Sequence, residues 1–172
     1  GALQGQRNDS SMTRAQVLRD GLAMLRDAAG PETYLLGCGM PLGSGIGLVD
    51  AMRIGADVSG DWLPQHFGVK YFFQHEPHMP SARNAIQNIL TRASLHRRWW
   101  VNDPDCLLVR SDTRLTLDEV RTLAAVIGMT GGSLLLSDDL PKLSEDRRRI
   151  AEVLLPVIGQ RAEVVDWFDR TT

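Results

Sequence analysis

Trp99-Trp100-Val101-Asn102-Asp103-Pro104-Asp105-Cys106, followed by Leu107-Leu108-Val109, is the stretch on which the reading of the fold turns. A bulky apolar pair gives way within two residues to an amide and two acids. Pro104 sits among them with a fixed φ and no N–H to offer a neighbouring strand. This is the pattern of a buried strand, here residues 99–101, whose carboxyl end opens onto a site at Asn102 to Asp105. A strand with only a structural task has little use for three polar side chains there.

Working outward, helix and strand signals alternate. Thr13 with Gln16, and Thr116 with Glu119, are capping boxes that open two helices. The first keeps Val17, Leu18, Leu22 and Leu25 at helical spacing and ends near Gly30-Pro31. Further helices are predicted over 81–96 and 144–158, and the one opened by Thr116 runs to about Gly128. Short apolar strands are predicted over 34–36, 48–54, 99–101 and 134–136, with Gly43-Ser44-Gly45-Ile46-Gly47 as a loop before the second. Such alternation implies an α/β fold with a parallel sheet under helices. The polar residues all follow the carboxyl ends of strands, where doubly wound sheets and βα-barrels keep their sites. Four βα units are half of the eight that a closed barrel needs.

At 172 residues the chain is long enough for one domain with a sizeable core. Nineteen Lys and Arg against 21 Asp and Glu leave a net charge of −2, which favours neither nucleic acid nor an acidic membrane surface. Arg147, Arg148 and Arg149 lie beside Glu145, Asp146 and Glu152 and read as a solvated helix face. Cys38 and Cys106 make no disulfide framework, read as reduced thiols, and favour a cytoplasmic location. No run of about 18 apolar residues is present. The opening Gly1-Ala2-Leu3-Gln4 has the look of a loop entered midway, so a fragment of a longer chain is expected.

Four strand ends carry candidate chemistry: Cys38-Gly39, Arg53 through Asp57, Asn102 through Asp105, and Asp138-Asp139. Retaining sugar hydrolysis needs two carboxyl groups about 5–5.5 Å apart, one as nucleophile and one as acid/base. Asp57 and Asp105 are candidates by position, although each could equally cap a helix or hold backbone amides. For Asp138 and Asp139, which precede Pro141 and a helix start, the structural reading is the stronger. His75-Glu76-Pro77-His78 lacks metalloprotease spacing, because Pro77 breaks any helix between the two imidazoles. No metal is expected, and Trp62, His66 and His75 are read as lining a substrate rim. The glycine run precedes a strand rather than opening a helix, so it is not a phosphate loop.

Together these motifs resemble the catalytic barrel of the melibiase group, the α-galactosidases and α-N-acetylgalactosaminidases among retaining α-glycoside hydrolases. The resemblance rests on Trp100-Val101-Asn102-Asp103-Pro104-Asp105, on Arg53 with Asp57 four residues later, and on Leu134-Leu135-Leu136-Ser137-Asp138-Asp139-Leu140. It implies the C-terminal half of a (βα)8 TIM barrel, strands five to eight, over residues 1–158. Residues 159–172 would be a linker or first strand towards a C-terminal β-domain. It further implies Asp57 as general acid/base, Arg53 and Asp105 as sugar contacts, Cys106 at the adjoining pocket wall, and Cys38 and Gly39 at a substrate-binding strand end. No cofactor is implied, and the partner is a carbohydrate.

The family's nucleophile, an Asp in a Lys-x-Asp-like segment, has no counterpart here and is expected upstream. The isolated chain is therefore expected to be inactive. Gly39 stands where some α-galactosidases carry a Glu, leaving room for another substituent on the sugar. The alternative is a non-catalytic half-barrel, a binding or assembly module that dimerises through its open sheet edges with a second copy or joins the missing N-terminal half.

Overall fold

The structure, a computed structural model, describes residues 10–65 and 74–165. Its contacts divide it into two units, Gly1–Arg53 and Ile54–Thr172.

In the first unit, α1 (Arg14–Ala29) opens with the predicted capping box, both halves formed. Thr13 Oγ1 accepts the Gln16 N–H at 3.3 Å, and Gln16 Oε1 accepts the Thr13 N–H at 2.7 Å. The helix ends at Gly30, whose φ of +77° suits glycine. Its predicted apolar stripe is not buried: Leu18 and Leu22 are half-buried, and Val17 and Leu25 are exposed. Arginines fasten the helix instead. Arg19 donates to the Ser44 and Ile46 carbonyls. Arg26 donates to the Leu48 carbonyl at 3.1 Å, the Thr33 carbonyl at 2.7 Å and the Asp50 carboxylate at 2.5 Å. Asp50 also accepts the Leu35 N–H at 2.7 Å. That amide first, and the Arg26 guanidinium second, hold its carboxyl below the usual carboxylate range.

β1 (Leu36–Gly37) pairs parallel with β2 (Ala51–Arg53), Leu36 opposite Ala51 and Gly37 opposite Met52. The second strand is shorter than the predicted 48–54 because the N–H groups of Leu48 and Val49 turn back to the Gly45 carbonyl. The glycine run forms a 3₁₀ turn over Leu42–Gly45, and its reason is packing. Met52 is fully buried, and a Cβ on Gly37 or Gly45 would fall 2.9 or 2.5 Å from its side chain.

The second unit contains α2 (Ala82–Arg92), β3 (Val101–Asp103), β4 (Cys106–Leu107), α3 (Leu117–Thr130), β5 (Leu135–Leu136) and α4 (Glu145–Glu152). Ser81 caps α2 by accepting the Asn84 N–H, and Thr116 and Glu119 form the predicted capping box of α3. β4 and β5 run parallel, Cys106 opposite Leu135 and Leu107 opposite Leu136. Ile86 and Ile89 of α2, Leu107, Val109, and Val120, Leu123 and Ile127 of α3 form the core. Strands in parallel register and helices in alternation make the fold α/β.

Two expectations need correction here. The last helix stops at Glu152 rather than 158, because Pro156 lacks an N–H and disfavours helical backbone at the residue before it. And Arg147 does not belong to a solvated face: its Nη1 donates to the Val109 and Arg110 carbonyls at 2.7 and 2.9 Å, just beyond β4. Arg148 does stay on the surface, paired with Glu152 at 3.0 Å. No helix among the described residues is long and apolar enough to cross a membrane.

Candidate active site

The strand predicted over 99–101 forms two residues later, over Val101–Asp103, so that Asn102 and Asp103 lie within it. Asn102 is buried and does not open onto a site. Its Oδ1 accepts the Trp100 indole N–H at 3.1 Å, and its Nδ2 donates to the Arg92 carbonyl at 3.0 Å. Its own N–H donates to His96 Nδ1 at 3.2 Å, which leaves Nε2 to carry the ring proton towards the Gly159 carbonyl, also 3.2 Å away. Burial pushes the His96 pKa down and outweighs the Gly159 carbonyl, with Arg97 and Arg161 adding positive charge nearby.

After β3 the chain kinks through Pro104 and Asp105, the latter at φ +76°, before resuming as β4. The kink is locked by side chain to backbone bonds. Asp103 Oδ1 accepts the Asp105 N–H at 2.8 Å, as in an Asx turn. Asp105 is itself buried: Oδ1 accepts the Cys106 N–H and Oδ2 the Val58 N–H, both at 2.7 Å. The Ile54 N–H donates to the Asp103 carbonyl at 3.1 Å. Residues 54–58 are thus held at both ends by the corner 103–105. Gly55 in between lies so close to α2 that a Cβ would sit 2.8 Å from the Asn88 Cβ. Asp57, on this anchored segment, is exposed, and Cys106 is half-buried at the start of β4.

In the first unit, Arg53 is the half-buried last residue of β2, and Cys38 and Gly39 are exposed just after β1. Gly39 has φ +67°, and a Cβ there would meet nothing within 4 Å. A Cβ there would meet no steric obstacle, while the backbone itself selects glycine.

Asp138 follows its structural reading: its fully buried carboxylate accepts the Val109 and Arg110 N–H groups at 2.8 and 3.2 Å. Asp139 pairs with Lys142 on the surface. His66 lies outside the described residues. His75 and His78 are exposed, and Trp62 is half-buried against the core of the second unit. Among the described residues no three His, Cys, Asp or Glu side chains gather as a metal site would require. A cavity of about 500 Å³ is lined by Gly128, Met129, Leu134, Leu154 and Pro156 and contains none of the predicted site residues.

No family model matches the chain. Among solved structures, it is similar to TtGalA, an α-galactosidase from Thermus thermophilus, in its complex with stachyose. The identity is 33% and the TM-score 0.69, over 80% of this chain and 29% of that one. The same enzyme in complex with p-nitrophenyl α-D-galactopyranoside matches at 33% identity and a TM-score of 0.68, over 80% of this chain and 28% of that one. The chain has an α-galactosidase-like fold. It spans less than a third of the length of the enzyme it matches.

Several residues that shape this α-galactosidase-like chain escape a reading of the sequence. Asp61 is nearly buried and takes a two-pronged bond from Arg114, which raises the Arg114 pKa. Fifty-three residues separate the pair, and no spacing rule links them. Arg92 donates to the Ile54 carbonyl and to Asn88, and His96 supports β3. The only signal for His96 was its place just before the Trp-Trp pair.

Proposed function

We propose that the chain is part of a retaining glycoside hydrolase cleaving terminal α-galactosides. In this reading residues 1–158 supply strands five to eight of a (βα)8 barrel, and 159–172 lead towards a further β-domain. The observation that carries the reading is the likeness to TtGalA, 33% identical across 80% of the chain and solved with two galactosides.

Asp57 is the acid/base. It gives its proton to the glycosidic oxygen as that bond breaks, then takes one from the water that hydrolyses the glycosyl-enzyme. The nucleophile is an Asp outside these 172 residues. Arg53 contacts the sugar, and Asp105 binds its hydroxyls. Cys106, Cys38 and Gly39 contribute pocket wall, with no metal or cofactor. An arginine directed at Asp57 would favour its anion, whereas the first step needs the protonated acid. The Arg53 charge is therefore assigned to the sugar. Exposure of Asp57 on a segment held at both ends supports its role.

The test is Asp57→Asn in the full-length enzyme, assayed on α-galactosides with good and poor leaving groups. An acid catalyst matters most when the leaving group is poor. A far larger loss on an alkyl galactoside than on a nitrophenyl one is expected, and equal losses would refute the assignment.

A further inference from the structure

Asp105 differs from a free sugar ligand in one respect: it is 6% exposed, and each of its two oxygens already accepts a backbone N–H. One of those amides belongs to Val58, the residue after Asp57. The Asp57 segment is bonded to the same corner from its other end, through the Ile54 N–H and the Asp103 carbonyl. The left-handed turn at Asp105, fixed by the Asp103 carboxylate, aims its Oδ2 at Val58.

We infer that Asp105 is a positioning residue for Asp57, its carboxylate holding the backbone that carries the acid/base. This rests on the acid/base role proposed above for Asp57. A carboxylate accepting an amide N–H makes a charge-assisted bond, stronger and shorter than a neutral one. Proton transfer to a glycosidic oxygen has a narrow geometric tolerance, and a displacement of about 1 Å can cost about 10²-fold in rate. The Trp-x-Asn-Asp-Pro-Asp stretch is then a brace as much as a wall. Asn102 fixes β3 from behind, Asp103 sets the turn, and Asp105 reaches across to the loop where the proton is handled.

Asp105→Asn keeps the shape and removes one of the two acceptors. In the full-length enzyme it is compared with wild type and Asp57→Asn on an alkyl and a nitrophenyl α-galactoside. Hydrogen exchange of the Val58 amide is followed in the same full-length proteins. Asp105→Asn is expected to lower kcat on the alkyl substrate by about 10²-fold and on the nitrophenyl substrate by much less, a split in kcat that the loss of a sugar contact alone would not give. The Val58 amide is expected to exchange faster in Asp105→Ala.

If Asp57→Asn discriminates between the leaving groups but Asp105→Asn reduces both rates equally, or raises only KM, Asp105 serves the sugar alone and the inference fails. If Asp57→Asn itself fails to discriminate, the acid/base assignment is what fails. Unchanged Val58 exchange in Asp105→Ala, which removes both acceptors, also overturns the brace. Should Asp105→Asn not fold, Asp103→Ala, which releases the Asp105 N–H, must give the same leaving-group split.

Discussion

The Asn102 N–H donates to His96 Nδ1 at 3.2 Å, so an imidazole buried six residues upstream serves as a fixed acceptor for the strand that carries the chain's most telling motif. The role requires the neutral ring with its proton on Nε2. Burial, together with the nearby Arg97 and Arg161 charges, opposes a second proton.

The first prediction concerns pH. The folded His96 pKa lies below the ordinary value near 6.5, so the unfolded chain binds the proton more readily. Stability should be level above about pH 7.5, fall as pH drops through about 6.5, and level off again below the folded pKa. His96→Asn, whose amide oxygen can accept the Asn102 N–H, should remove that part of the slope. Urea unfolding of both chains between pH 8 and 5 checks this, and identical slopes would count against it. The lowered Asp50 pKa acts in a different window. Its stabilisation is complete above about pH 4 and lost only as pH falls through a value below that.

The second prediction concerns Asn102. Asn102→Leu preserves volume but strands the buried Trp100 indole N–H and the Arg92 carbonyl. Leaving such groups unsatisfied costs about 1–3 kcal/mol each, so a loss of about 2–6 kcal/mol is expected in denaturant unfolding. A loss below about 0.5 kcal/mol would mean that the bonds do not hold β3.

The third prediction concerns the neighbouring backbone. A Cβ on Gly132 would sit 2.4 Å from the Asn102 carbonyl oxygen, beside the bond that oxygen accepts from the Ser133 N–H at 2.8 Å. Gly132→Ala must push the two segments apart, at about 1–3 kcal/mol. Gly39→Ala meets no atom and should cost only the left-handed backbone term, about 1–2 kcal/mol. Thermal midpoints of the two variants test whether contact or conformation is the cause at each site.

The fourth prediction separates two adjacent acids. Asp138→Ala leaves the Val109 and Arg110 amides without their acceptor and is expected to destabilise by about 1–3 kcal/mol. Asp139→Ala removes an exposed pair with Lys142 and should change stability by no more than about 0.5 kcal/mol. Equal effects in denaturant unfolding would show that the buried carboxylate is not the anchor.

Much of the architecture was legible in the chain. Both capping boxes formed where Thr13 and Thr116 announced them, because a cap is a contact between residues three apart. The alternation of helix and strand followed from the spacing of apolar residues, and the structural reading of Asp138 followed from its place before Pro141. Register was less legible. The strand at Trp99 slid two residues forward, since the Trp99 N–H donates back to the Leu95 carbonyl and the Trp100 carbonyl accepts the Arg97 N–H, bonds that a sequence pattern does not reveal. The last helix was overextended because the apolar spacing continues past Glu152 while Pro156 forbids the backbone.

The sequence by itself determined the order of elements, the two capping boxes, and the Trp-x-Asn-Asp-Pro-Asp motif whose resemblance named a family. Those properties depend on neighbours within a few residues. The tertiary structure alone decided what each polar residue of that motif does. Asn102 turned inward to a histidine and a tryptophan, and Asp105 joined the backbone beside Asp57, 47 residues away in the chain. A carboxylate's partner is set by distance and burial in three dimensions, and local spacing carries no record of a donor so remote.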